Sequence, residues 1–273
     1  MQTESPDFIT ALNLPTLSVV IITKNETVNI VDCVKSALFA DEVLVLDSGS
    51  SDDTVKLAIA AGARVIETGW PGFGPQKNRA IDASLGKWIF SLDADERIST
   101  SLKDEILTAI KENTYDVFDV PRQSLFVSRF MQYSGWRPDR TSRLFKRGAA
   151  RFTDNQVHEH LKTSVKVGHL KESIIHYSYR DLPTVLDKMN HYSTAGAQDL
   201  KAKGKKSSLF SAITHGAWAF FRTYIIKLGF LDGPEGLILA IANAETTYYK
   251  YLKLYYFIRQ PYNEPPENSR HSV

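Results

Sequence analysis

Two acidic residues separated by a single alanine, Asp93 and Asp95, stand at the end of the apolar run Trp88-Ile89-Phe90-Ser91-Leu92. On an extended segment such a pair can serve one divalent ion, directly or through water. Mg2+ and Mn2+ take oxygen ligands of this kind and leave coordination positions for phosphates. Asp-Ala-Asp by itself also recurs in solvated loops, so its place at a strand end carries the weight. Two more polar clusters follow apolar runs in the same way. Thr23-Lys24-Asn25-Glu26 comes after residues 17–22, and Asp47-Ser48-Gly49-Ser50-Ser51-Asp52 comes after residues 42–46. A fourth segment, residues 72–79 (Gly-Phe-Gly-Pro-Gln-Lys-Asn-Arg), joins flexible glycines to a helix start and two cations. Backbone amides, Lys77 or Arg79 can meet a diphosphate there, although a plain basic helix start on the surface accounts for the same residues. No Gly-x-x-x-x-Gly-Lys-Ser/Thr pattern is present, and no Gly-x-Gly-x-x-Gly follows the first strand, which weighs against an ATPase and a nicotinamide-dinucleotide enzyme.

The elements that must position these residues alternate over the first 110 positions. Residues 17–22, 42–47, 64–67 and 87–92 read as short strands, and the nearly continuous apolar runs suit strands buried on both faces. Between them, a helix from about Thr27 carries Val28, Val31, Val34 and Leu38 near one face, and a second over 53–61 stops at Gly62. A third helix has Pro75 in its first turn and closes at Gly86, and Ser99 caps a fourth through Ile110. Such alternation predicts a doubly wound, mostly parallel α/β sheet, whose ligands bind beyond the carboxyl ends of the strands. Strand signals continue through 117–127 and 143–145. From Leu182 the chain reads helical and rich in aromatics, which gives a catalytic domain over 15–180, a helical extension over 181–260 and flexible tails at 1–14 and 261–273.

Composition narrows the partners. A net charge of +2 over 273 residues supplies no basic excess for nucleic acid. The single cysteine, Cys33, rules out an internal disulfide framework, fits a reducing compartment, and sits where a small buried apolar residue is expected. The N-terminus lacks the basic region of a secretory signal, and no apolar run is long enough to span a bilayer.

Taken together, Leu17 to Glu26, Val45 to Thr54, Gln76 to Ala80 and Ser91 to Glu96 resemble the ordered motifs of family 2 glycosyltransferases. The resemblance implies the GT-A fold, a nucleoside-diphosphate sugar donor, a divalent metal (Mg or Mn) and inversion at the anomeric carbon. By position it places Thr23, Asn25 and Glu26 around the nucleoside, Asp47 with the adjoining Ser48 at the base, and Lys77 and Asn78 along the donor. Asp93 falls near the ribose or metal and Asp95 on the metal. The second half, with Gly135-Trp136-Arg137-Pro138-Asp139, Val157-His158-Glu159 and Gly229-Phe230-Leu231-Asp232-Gly233, resembles bacterial lipopolysaccharide-core glycosyltransferases, nearest to those that glucosylate inner-core heptose.

Sugar transfer needs the departing diphosphate stabilised and the acceptor hydroxyl deprotonated. Glu159, which the resemblance places beside the acceptor, is the first choice of base, then Asp139, then Asp154. An ordinary salt bridge is the competing role for Glu159. His158 is expected to orient a neighbour rather than take the proton. His176 is a further metal ligand or a structural histidine, and Arg140 and Arg143 face a phosphate or pair with Asp139. UDP-glucose is the expected donor and a lipid-linked saccharide the expected acceptor. Six Lys/Arg and no acid over 201–230, beside many aromatics, predict peripheral attachment to an anionic membrane, the inner face of the cytoplasmic membrane. Packing on the catalytic domain or on a second copy in a homo-oligomer remains the other use of that surface.

Overall fold

A computed structural model describes residues 16–153 and 160–259. Its contacts divide the chain into two compact units, one of Met1–Arg122 with Arg140–His176 and one of Gln123–Asp139 with Tyr177–Val273. The helical segment is thus grouped with residues 123–139, a stretch that sequence reading assigned to the catalytic domain.

The first unit begins with β1 (Leu17–Thr23), α1 (Ile30–Ala37), β2 (Glu42–Asp47), α2 (Thr54–Ala60), β3 (Arg64–Glu67), α3 (Phe73–Ala83) and β4 (Trp88–Asp93). The two-residue strand β5 (Glu96–Arg97) and helix α4 (Thr100–Glu112) follow. Strands β3, β2, β1 and β4 lie side by side and parallel. Then come β6 (Val117–Phe126), β7 (Arg129–Phe130) and β8 (Arg140–Lys146); β8 runs antiparallel to both β4 and β6. Short strands β9 (Arg151–Phe152) and β10 (Leu161–Lys162) pair with each other. β11 (Val167–His169) joins β6, and β12 (Ile174–Tyr179) pairs with β5.

Side-chain alternation decides which helix covers which face. Val19, Ile21, Val45, Phe90 and Leu92 point to the side packed by α1 and α4. Val20, Leu44, Leu46 and Ile89 point to the side packed by Ala80 and Ile81 of α3. The fold is therefore the doubly wound, mostly parallel α/β sheet expected. Each fully buried aliphatic or aromatic side chain here contributes about 1.5–3 kcal/mol. Cys33 is buried in this core, as expected.

Two local expectations are corrected. Helix α1 begins at Ile30 because Glu26 closes a turn with its carbonyl, accepting from the amides of Asn29 and Ile30. The buried face is consequently Ile30, Cys33, Val34 and Ala37, while Val28 and Leu38 are exposed. Gly86 does not end α3, which stops at Ala83 before an extended Ser84. Gly86 instead lets the chain pass close to β1. A Cβ there would sit 2.5 Å from the Ser18 amide nitrogen and 2.8 Å from the Trp88 carbonyl oxygen. Gly86→Ala should cost about 1–3 kcal/mol by overpacking, seen as a lower urea midpoint with an unchanged slope.

The second unit contains α5 (Leu182–Ala202), α6 (Leu209–Phe221), a π turn over Arg222–Ile226, a 3-10 turn over Gly229–Asp232, and α7 (Gly233–Arg259). Both α5 and α6 pack on α7. Buried Asp232 fastens the earlier segment to these helices, accepting from the amides of Gln132 and Tyr133 at 3.0 Å each and the Ser134 hydroxyl at 2.9 Å. Among the described residues no helix is long and apolar enough to cross a membrane.

Candidate active site

Parallel register brings the chemistry to one end of the sheet. Thr23 lies opposite Asp47, and Ile22 opposite Asp93, so the polar residues that follow β1, β2 and β4 emerge together. Asp47 is fully buried and turns the chain sharply. One carboxylate oxygen accepts from the amides of Gly49 (2.9 Å) and Ser50 (2.8 Å), and the other from the Ser50 hydroxyl. Gly49 takes φ +84°, a conformation glycine adopts without a Cβ penalty. The loop after β1 is laced to this turn. The Asn25 amide donates to Ser50 Oγ at 2.8 Å, Asn25 Oδ1 accepts from the Ser51 amide at 2.8 Å, and the Glu26 amide donates to Thr54 Oγ1 at 2.7 Å. Ser48 Oγ accepts from Gln76 Nε2 at 3.0 Å.

A cavity of about 330 Å³ opens at this end. Thr23, Lys24 and Glu26 form one side, Asp93 and Asp95 another, and Trp70 and Phe73 an aromatic wall. The two rings meet edge to face at 4.7 Å, and both are nearly half exposed. Among the described residues, Thr23 Oγ1 is buried without a hydrogen-bond partner, as is Gln76 Oε1.

The two carboxylates of Asp-Ala-Asp have different surroundings. Asp93 sits between Lys77 Nζ at 3.0 Å and Arg143 Nη2 at 2.6 Å. Arg143, delivered by β8, also reaches Glu96 Oε1 at 2.7 Å, and Glu96 Oε2 accepts from the Asp93 amide at 3.0 Å. Burial opposes ionisation of Asp93, but Arg143 and Lys77 outweigh it and hold its carboxyl well below the usual range. Glu96 is shifted upward, because burial and the nearby Asp93 charge exceed the help from Arg143. For Arg143 the two carboxylates overcome burial and push the guanidinium upward.

Asp95, by contrast, lies half-buried at the cavity, its Oδ2 3.2 Å from Nε2 of His176. The pairing of β12 with β5, His176 opposite Glu96, holds the imidazole there. No group of three or more His, Cys, Asp or Glu placed to hold a metal occurs among the described residues. The Asp95–His176 spacing nonetheless suits two neighbouring ligands of an octahedral ion, which stand about 3 Å apart at ligand distances of about 2.1 Å.

Several sequence-level assignments land elsewhere. Arg143 is enclosed in the Asp93–Glu96 network, and Arg140 pairs with Asp119. The Asn78 side chain bonds both backbone groups of Phe152, at 2.9 and 3.0 Å, and so anchors β9 to α3. Lys77 is buried against Asp93, with its ammonium 5.1 Å from the Phe152 ring centre. Asp139 belongs to the second unit. Asp154, His158 and Glu159 lie outside the described residues. Arg143→Met should destabilise the fold by about 3–5 kcal/mol at neutral pH, since it leaves Asp93 and Glu96 short of a buried cation. Without that cation both folded-state carboxyls titrate higher, so protonation relieves them, and the deficit should narrow as urea melts are run at lower pH.

Residues 18–169 match the family described as Glycosyl transferase family 2. An uncharacterised glycosyltransferase of Rickettsia conorii is 31% identical over 255 residues, covering 87% of this chain and 89% of its own. The lipopolysaccharide core biosynthesis glycosyltransferase LpsC of Rhizobium meliloti is 30% identical over 253 residues, covering 88% and 92%. Among solved structures, S. aureus TarS 1–349 in complex with UDP aligns at 15% identity over 92% of this chain and 93% of that one, with TM-score 0.48. The family match and these relatives define the class of the chain as a glycosyltransferase. The chain belongs to glycosyl transferase family 2.

Proposed function

We propose that the chain transfers a hexose, with inversion, from a nucleoside-diphosphate sugar to a saccharide of the lipopolysaccharide inner-core class, with UDP-glucose as donor and a lipid-linked heptose as acceptor. The observation that carries the reading is the cavity beside the loop after β1, lined by Asp95, whose carboxylate meets His176. The relative named for lipopolysaccharide core biosynthesis, similar over most of both chains, supports the acceptor class. In this reading residues 15–180 hold the catalytic machinery and 181–260 form an extension.

The residues divide the work. Asp95 and His176 would hold a Mg or Mn ion, and Asp93 lies beside them. Such an ion would supply charge neutralisation for the departing diphosphate. The loops bearing Thr23, Asn25, Glu26, Asp47 and Ser48 shape the nucleoside pocket. Lys77 and Arg143 fix the Asp93 carboxylate as an anion, so the Asp-Ala-Asp turn keeps one conformation. Trp70 and Phe73 offer a stacking surface for the base. Trp70→Ala should weaken UDP binding about 5- to 100-fold, the range of one base–aromatic stack, measured by titration calorimetry. Glu159 takes the acceptor proton, with Asp139 the second choice.

The direct test is a panel of radiolabelled sugar nucleotides offered to purified protein with and without heptose-containing acceptor. Transfer from UDP-glucose that requires the acceptor supports the proposal. Transfer only to acceptors without heptose removes the inner-core assignment and leaves a family 2 enzyme of another pathway.

A further inference from the structure

Helix α6 is amphipathic in the wrong sense for a soluble helix. Its small residues Ala212, Gly216 and Ala219, with Thr223 in the π turn beyond, are buried at spacings of one helix face. That face is the packed one, for a Cβ on Gly216 would meet Tyr248 Cβ at 3.1 Å and the Ala244 carbonyl at 3.2 Å, both on α7. The large apolar residues point away. Phe210 is 77% exposed, Ile213 60% and Trp218 56%, and Phe221, Ile225 and Ile226 continue the surface. A helix covering a core in water buries its large apolar residues and shows polar ones. Small residues inside and large apolar ones outside is the arrangement of helices surrounded by lipid.

The charges name the occupant. Helix α6 has no Asp, Glu, Lys or Arg. Residues 200–231 contain no acid at all and six cations. Lys201, Lys203, Lys205 and Lys206 are exposed before α6, and Arg222 and Lys227 are exposed after it. Lys203 pairs with Asp199, and the other cations bracket the apolar face. Two copies of such a face would bring like charges together, whereas anionic headgroups would meet both features. Length decides the orientation. Thirteen residues extend about 20 Å at about 1.5 Å each, short of the roughly 30 Å hydrocarbon core.

We infer that α6 and the turn after it lie in the headgroup boundary of an anionic bilayer, with Phe210, Ile213, Trp218 and Phe221 inserted and the flanking cations at the phosphates. The inference is independent of the donor reading, because the attachment needs neither metal nor nucleotide. A saccharide acceptor carried on lipid would be presented at the same surface.

The full chain is sedimented with vesicles of phosphatidylcholine alone and of phosphatidylcholine mixed with phosphatidylglycerol. Binding should need the anionic lipid, fall with salt and survive chelator. Brominated acyl chains should quench the bound protein, and Trp218→Phe should remove most of that quenching. Phe210→Glu with Ile213→Glu should weaken vesicle binding at least about tenfold, and Lys203, Lys205 and Lys206 changed together to Glu about 100-fold or more. The lysine variant alters only exposed side chains, so it keeps the test decisive if the first variant misfolds. UDP binding in the lysine variant should match that of the parent chain. Recovery in the supernatant with every vesicle overturns the inference. So does a dimer in sedimentation equilibrium that Phe210→Glu dissolves while vesicle binding is absent, which would make a second copy the occupant.

Discussion

Asp95→Ala should lower sugar transfer by about 1000-fold or more while the thermal midpoint stays within a few degrees of the parent. The loss follows from the proposed role of Asp95 as the cavity-facing carboxylate beside His176, where an ion would neutralise several kcal/mol of developing leaving-group charge. Stability is spared because Asp95 is half-buried in a turn, while the core contacts and the Asp93–Arg143–Glu96 network remain. Asp93→Ala should behave differently. It leaves Lys77 and Arg143 facing each other in a buried setting, so stability and activity should fall together. Calorimetric UDP binding by the Asp95 variant should no longer respond to Mn2+. Full turnover of Asp95→Ala in the presence of chelator would remove the metal from the mechanism.

Glu159→Gln should reduce turnover by about 100-fold or more and leave donor affinity nearly unchanged. Glutamine keeps the size and much of the hydrogen bonding of glutamate but has no affinity for the acceptor proton, so only the deprotonation step suffers. Single-turnover rates with saturating UDP-glucose, compared with UDP affinity from calorimetry, separate the two effects. If Asp139→Asn shows that signature and Glu159→Gln does not, Asp139 is the base. A salt-bridging Glu159 would instead show a shifted melting temperature with ordinary turnover.

Much of the first unit was legible because its signals are local. Apolar runs ending in Thr23, Asp47 and Asp93 marked buried parallel strands, and the register aligned those ends as the alternation implied. Ser99 was read as a cap and accepts from the Leu102 amide at 3.2 Å. What sequence could not give was the difference between Asp93 and Asp95. That depends on β8 returning antiparallel beside β4 and delivering Arg143, some 50 residues away in sequence, against Asp93. Arg143 therefore read as a phosphate contact or a partner of Asp139. Its one available signal was its place in the apolar run Arg143-Leu144-Phe145, where an unpaired charge could not be tolerated. Trp70 was overlooked because nothing local marks an aromatic in a Gly- and Pro-containing loop as facing a cavity. The grouping of residues 123–139 with the helical segment draws on long-range contacts, Phe126 and Met131 with Val185 and Leu239 and the Gln132 and Tyr133 amides with Asp232 about 100 positions away, which leave no trace in periodicity.

Central to the account is a single in-line displacement at the sugar of a nucleotide donor, and the anomeric configuration of the product tests it most directly. Purified protein is incubated with UDP-α-glucose, Mn2+ and heptose-containing acceptor, and the new linkage is read from its proton coupling by NMR before any exchange. The account predicts a β-linked glucoside and stoichiometric UDP, both abolished by chelator. An α-linked product would contradict inversion, and formation of UTP and glucose 1-phosphate from UDP-glucose once pyrophosphate is added would make the chain a nucleotidyltransferase instead.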